Sequence, residues 1–277
     1  MNLKTFMITL LCLPSIALAA NDSKATARTS LLLGSESQKD YSLGLDYDLT
    51  KETSVSLDYF YTKTSTTDQT FSFSSDHDLN DTQSINGSLI YSKDDSELKG
   101  IGFDLGTDYT ISDHWESERS TDLSAEIGVI HYSKEEQVST TTEKTSYEKV
   151  KMGLELEQEI NDYIALFIGY KQYLYSDHSE ILTSSGKKKT SATSFSSTDS
   201  SIKNKKTAGG RLFFDNGLSL SYRYSLSQYK DSLNEQEHDF NVRYKFKRVS
   251  LGFVYQYLKP ENSKVEHWFG PKLSVKF

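Results

Sequence analysis

Tyr41-Ser42-Leu43-Gly44-Leu45-Asp46-Tyr47-Asp48-Leu49 is followed by the short link Thr50-Lys51-Glu52 and then by Ser54-Val55-Ser56-Leu57-Asp58-Tyr59-Phe60-Tyr61. On both sides of the link, apolar side chains hold the odd-numbered positions. Ser, Gly and Asp hold most of the even ones. A strict period of two is the signature of a β-strand with one greasy face and one wet face, and a link this short is a hairpin turn. The wet face here carries carboxylates, Asp46, Asp48 and Asp58, which is more charge than a half-buried soluble sheet usually tolerates.

The same period recurs along most of the chain. It returns at Ile101, Phe103, Leu105 and Tyr109, then at Leu123, Ala125, Ile127 and Val129, and at Val150, Met152, Leu154 and Leu156. Further sets are Ile164 to Tyr170, Leu218 to Tyr224, Phe240 to Phe246, Leu251 to Tyr257, and Phe269 to Phe277, where the last residue is aromatic. No stretch of similar length shows the 3.6 period of a helix. Connections alternate in size. Asn161-Asp162, Asp215-Asn216-Gly217 and the segment around Arg248 are short polar turns, and Asn-Gly accepts positive φ. Segments 133–145, 176–204 and 230–236 are expected to be longer loops.

These signals place strands near 25–36, 39–49, 53–63, 68–76, 82–92, 97–111, 115–132, 146–159, 163–176, 205–214, 217–229, 236–247, 249–259 and 265–277. The count is about 14, and about 12 if the Phe71/Phe73 hairpin within 64–92 is a loop. Residues 1–19 read as a cleaved signal peptide, with Lys4, an apolar run from Phe6 to Leu13, and Ala17-Leu18-Ala19 as the cleavage triplet. The run is too short for a membrane-spanning helix, which needs about 20 apolar residues. The single cysteine, Cys12, falls inside this leader, so thiol and disulfide chemistry are excluded from residues 20–277.

Composition supports one domain over 20–277. The chain has 18 Tyr but only 3 Pro, and no linker interrupts it. Its hydrophobic share, 36%, is low for a soluble core of this length. A closed antiparallel up-and-down β-barrel in a membrane accounts for that, because only its lipid-facing residues must be apolar while the lumen is polar. Disorder would lower hydrophobicity too, but not with so many aromatics. The formal net charge of −8, with no basic stripe, argues against nucleic acid as a partner.

If the apolar positions face lipid, the alternate positions face the lumen. The first half then contributes Asp46, Asp48, Asp58, Asp104, Asp108, Asp122 and Glu126. The second half contributes Lys171, Arg211, Arg223, Arg243, Lys245 and Lys272, and the strand near 146–159 is mixed, with Lys149, Lys151, Glu155 and Glu157. One acidic and one basic wall would face each other across a pore, and such side chains would contact passing solute. Acidic linings favour cations and basic ones anions. The competing possibility is that these charges close a filled lumen, with 176–204, a Ser, Thr and Lys-rich segment, as the plug. Tyr41, Tyr61, Tyr91, Tyr109, Tyr132, Tyr175, Tyr229 and Tyr257 are expected at the membrane interfaces as aromatic girdles. A sugar-stacking track is the sharper alternative.

No catalytic constellation converges in this topology. His77, His114 and His178 each sit in a Ser-Asp-His triplet but fall at different ends of the barrel. His238 beside Asp239 and His267 beside Glu266 leave a rim hydrolase as one alternative function. A surface barrel that binds partners through its loops is another. No metal-ligand spacing or phosphate loop is present, so neither metal nor cofactor is expected.

Phe214-Asp215-Asn216-Gly217-Leu218-Ser219-Leu220-Ser221 and the aromatic C-terminal strand resemble Gram-negative outer-membrane porins, most of all the fourteen-stranded monomeric OmpG-type porins. That resemblance implies passive passage of ions, sugars and short oligosaccharides through a single chain in the outer membrane. Arg223, Arg243 and Lys245 also fit porins for acidic oligosaccharides, which typically have about twelve strands. The resemblance further implies contact with outer-membrane lipid, and recognition of the terminal strand ending in Phe277 by the barrel assembly machinery.

Overall fold

The computed structural model describes residues 25–35, 38–64, 66–95, 97–112, 119–138, 141–175, 202–229, 234–261 and 264–277. Fourteen strands follow one another: β1 Ala25–Gly34, β2 Lys39–Asp48, β3 Thr53–Lys63, β4 Thr67–Asn80, β5 Gln83–Asp94, β6 Lys99–Ser112 and β7 Ser120–Val138. The second half is β8 Thr141–Asn161, β9 Ile164–Tyr175, β10 Ile202–Phe213, β11 Leu218–Tyr229, β12 Asn234–Phe246, β13 Val249–Pro260 and β14 Glu266–Lys276. Each strand pairs antiparallel with its sequence neighbours. β1 pairs with β14 from Thr26↔Lys276 to Gly34↔Trp268 and closes the barrel.

Closure leaves no strand edge with unmet hydrogen bonds, which is the condition for a sheet to lie in hydrocarbon. All strands reach the length that a tilted strand needs to cross a bilayer. The outward positions are apolar and open: Leu89 is 64% exposed, Ile101 65% and Ile168 61%. In water such a belt would be a large unstable patch. Around a barrel it is the lipid-facing surface. Both chain ends of the barrel lie at one rim, the termini rim, where Phe277 N–H donates to Ala25 O at 2.7 Å. The turn at 214–217 is also there, with Gly217 at φ 85° and its N–H donating to Phe214 O at 3.0 Å.

The Phe71/Phe73 hairpin is present as β4 and β5, so the count is 14 and the twelve-strand alternative fails. Polar outward positions in β4 hid this strand from its periodicity. Three boundaries need correcting. The segment 133–145, expected as a loop, is mostly paired strand, because β7 and β8 stay in register to Val138↔Thr141. β10 begins at Ile202 and β12 at Asn234, inside the loops expected there. The signal peptide and most of 176–204 lie outside the described residues.

Three tyrosines of the expected girdle turn inward instead. Tyr132 is 1% exposed and stacks on Tyr147 with centroids 4.8 Å apart, in a lumenal cluster with Leu98, Ile130 and Tyr175. Tyr229 donates to Glu235 Oε1 at 3.0 Å. A second inner apolar cluster joins Leu32, Val254, Leu258 and Trp268. These inner clusters leave a mark in the sequence: the alternation stumbles where two apolar residues adjoin, at Leu31-Leu32, Val129-Ile130, Phe253-Val254 and Tyr257-Leu258.

Candidate functional site: the charged lumen

The lumen is built from the even-numbered residues of β1 to β7, the odd-numbered residues of β8 to β12 and the even-numbered residues of β13 and β14. Small Ser and Gly side chains leave room for a few long charged ones. Ser54, Ser56, Ser72, Ser74, Asp46 and Asp76 border one cavity of about 610 Å³ on the acidic side. A second cavity of about 340 Å³ is bordered by Lys171, Arg211, Arg223, Lys205 and Glu237 on the other side.

Three of the ion pairs close across an intervening strand, over a glycine in register between the partners. Arg28 on β1 donates to Asp46 Oδ1 on β2 at 2.6 Å and to Asp58 Oδ1 on β3 at 3.1 Å. The residue between Arg28 and Asp58 in register is Gly44. Lys151 Nζ on β8 lies 2.9 Å from Asp104 Oδ2 on β6, and the residue between them is Gly128. Lys171 Nζ on β9 lies 2.5 Å from Glu126 Oε1 on β7, with Gly153 between. A Cβ at Gly44, Gly128 or Gly153 would collide with the carboxylate of Asp58, Asp104 or Glu126 respectively. In these three places the absent side chain is the slot through which the ion pair closes. Lys151 also reaches Glu126 Oε2 at 3.0 Å, so Asp104, Lys151, Glu126 and Lys171 form one chain of alternating charge. Alternation offsets desolvation most for the two middle members, Lys151 and Glu126, which each have an opposite charge on both sides.

On β10 and β11, Arg211 donates to Glu157 at 3.0 Å and Arg223 to Glu155 at 3.4 Å. Both guanidiniums also flank the Phe167 ring, with Arg223 4.7 Å and Arg211 5.7 Å from its centroid. Asp108 accepts from Ser124 at 2.5 Å and from Asn86 at 3.2 Å. Arg243 donates to Ser250 Oγ at 3.2 Å. Lys245 is exposed near the termini rim. Lys272 on β14 feels the carboxylates of both Asp40 and Asp239.

The twelve lumenal charges expected from parity, Asp46, Asp58, Asp104, Asp108, Glu126, Lys151, Lys171, Arg211, Arg223, Arg243, Lys245 and Lys272, thus take inner positions. The division into two walls is partial. Arg28 interrupts the acidic side, and Glu235, Glu237 and Asp239 interrupt the basic side, where Lys205 Nζ meets Glu237 Oε2 at 2.8 Å. Arg28 was legible from parity, as a polar residue between Ala27 and Thr29. The partnership of Phe167 with two arginines was not, because it depends on which residues face one another one and two strands away.

The described histidines face away from this lumen. His238 Nδ1 is bonded to Tyr222 Oη at 2.9 Å, and His267 Nδ1 to Tyr255 Oη at 2.8 Å, both on the outer surface. Asp239 and Glu266 sit on the opposite side of the sheet from these imidazoles, so neither Asp-His nor Glu-His pairing occurs there. His77 Nδ1 meets Thr53 Oγ1 at 2.8 Å, while His114 and His178 lie outside the described residues. Among the described residues, no group of three His, Cys, Asp or Glu side chains could hold a metal.

No protein-family profile matches the sequence, and no curated protein matches it. Solved structures do match in fold. One is OprB of Pseudomonas putida at high pH, with 7% identity over 92% of this chain and 94% of that one, at a TM-score of 0.50. The shared fold is a closed antiparallel β-barrel. Two other similar structures are the NanC porin, 11% identical over 91% of this chain and 100% of that one at a TM-score of 0.47, and the KdgM porin in complex with disordered oligogalacturonate, 8% identical over 91% and 99% at 0.47. At these identities the likeness is one of architecture.

Proposed function

We propose that the chain is a passive channel for small hydrophilic solutes in the outer membrane of a Gram-negative bacterium, acting as a monomer. The observation that carries this reading is the lumen itself. Inside a closed apolar-coated barrel, charged and hydroxyl side chains border water-sized space on both sides. Fourteen strands enclose more than side chains alone fill, judging from the trend between eight-stranded and sixteen-stranded barrels. The strand number also agrees with the resemblance to OmpG-type porins. The twelve lumenal charges are the residues that would touch passing ions, with the Lys151 chain and the Phe167 arginines as the two densest points. Recognition of the terminal strand by the barrel assembly machinery belongs to the same reading, since β14 ends in Lys276 and Phe277 at the seam with β1.

The test is single-channel recording of the purified protein in planar bilayers. Discrete conductance steps are expected. Neutralising Asp46, Asp58 and Asp104 to Asn should shift the reversal potential towards anion selectivity, because Arg28 and Lys151 lose their counter-charges. Bilayers that stay silent across pH and voltage would overturn the proposal.

A further inference from the structure

The outer surface carries an arrangement that the channel reading does not use. At the rim opposite the termini, two pairs of lysines face each other directly across neighbouring strands. Lys39 on β2 is in register with Lys63 on β3. Lys93 on β5 is in register with Lys99 on β6. All four are exposed, and all four share the outward parity of Tyr41, Tyr61, Tyr91 and Ile101, two residues further into the membrane belt. Their other register partners are neutral: Leu33 for Lys39, Thr67 for Lys63, Gln69 for Lys93 and Ser133 for Lys99.

Like charges directly opposite on one sheet face repel, and sequences normally avoid placing them there. Here it happens twice, on strand pairs separated only by β4, and among the described residues none of the four lysines makes an ion pair. Asp95 lies in the turn joining β5 to β6, but its Oδ2 accepts the Thr67 N–H at 2.9 Å. Below the lysines, Tyr41 and Tyr61 pack with centroids 5.7 Å apart, which marks the level where hydrocarbon gives way to headgroups. A cation pair at headgroup depth, over an apolar and aromatic surface, matches a ligand with phosphates above and acyl chains beneath.

We propose that Lys39–Lys63 and Lys93–Lys99 form a docking surface for a phosphorylated, multi-acylated lipid of the leaflet at that rim. The phosphates bridge each lysine pair and remove its repulsion, while the acyl chains lie along the outward residues of β2, β3, β5 and β6. This fixes one side of the barrel to the lipid. Across the seam, with β1 and β14 between it and β2, Lys259 of β13 is also outward and exposed but faces Gln236, so it lacks the paired geometry.

Native mass spectrometry of the full protein in detergent tests this, with bisphosphorylated lipid A, the same lipid stripped of its phosphates, and inorganic phosphate as probes. Retention of bisphosphorylated lipid A should fall about fivefold for each lysine removed in Lys39→Gln/Lys63→Gln and in Lys93→Gln/Lys99→Gln. Lys259→Gln should leave it unchanged. If a double variant fails to fold, Lys63→Gln and Lys99→Gln alone keep one lysine per pair and should each show the single step. Equal retention by the fourfold variant would overturn the proposal, as would equal binding of the dephosphorylated lipid. Displacement of the lipid by inorganic phosphate at matching concentration would show a free-anion site instead, and would also overturn it.

Discussion

Replacing Lys151 with Met removes the one cation that sits between Asp104 and Glu126 and leaves the rest of the chain in place. Its Nζ lies 2.9 Å from Asp104 and 3.0 Å from Glu126. At an effective dielectric near 20, one pair at that separation is worth roughly 5 kcal/mol before desolvation is counted. Breaking a buried pair typically costs about 3–5 kcal/mol, because one charge is left behind in a poor solvent. Two features reduce the figure here. The Asp104 and Glu126 side chains retain 17% and 27% of their exposure, and Lys171 still holds Glu126. Asp104 is therefore the main orphan, and the expected loss is about 2–3 kcal/mol. Urea titration in lipid vesicles, followed by tryptophan fluorescence, measures it. Adding Asp104→Asn to Lys151→Met should recover most of the loss, since removing both partners of a pair is far milder than removing one. A double-mutant cycle should give a coupling of about 1 kcal/mol or more. If Lys151→Met unfolds at the wild-type urea concentration, or if the two single effects simply add, the charge chain is not what holds β6, β7 and β8 together on the lumen side.

Further outcomes follow from the same geometry. Gly128→Ala should push the Asp104 carboxylate off Lys151 while the barrel still assembles, so pore selectivity changes more than heat-modified migration on a gel. Arg211→Gln should leave Glu157 without its partner and move the reversal potential towards cations; an unchanged potential would mean that β10 does not line the path of ions. Trp268→Ala should cost about 3–5 kcal/mol, because its fully buried ring fills the cluster with Leu32, Val254 and Leu258. Protein freed of its leader and of detergent should aggregate, and a monodisperse soluble species in plain buffer would contradict the exposed belt of Leu89, Ile101 and Ile168.

The weakest stretch for periodicity, 64–92, shows where local pattern loses its force. In β4 the outward residues Gln69, Ser75 and His77 are polar, so the alternation that names a strand is diluted, yet pairing with β3 on one side and β5 on the other leaves no alternative place for it. The hairpin at 133–145 was missed for a related reason. It extends beyond the apolar belt, where no lipid demands alternation, so its polar sequence reads as loop while its backbone stays paired.

The sequence by itself determined the sheet and its two faces, and narrowed the strand number to 14 or 12; pairing of β4 with β3 and β5 decided 14. Period two is a local property, and each residue's parity settles whether it meets acyl chains or water. Parity also assigned the twelve lumenal charges. What parity does not contain is distance around the barrel. Whether Arg28 reaches Asp58, or Lys151 reaches Asp104, depends on the register of two successive strand pairs and on a glycine at the matching place in the strand between. The same holds for the facing of Lys39 by Lys63, whereas the inward turn of Tyr132, Tyr175 and Tyr229 is already contained in their parity. Register is fixed only when the sheet closes, because closure is what makes every strand's offset consistent with all the others.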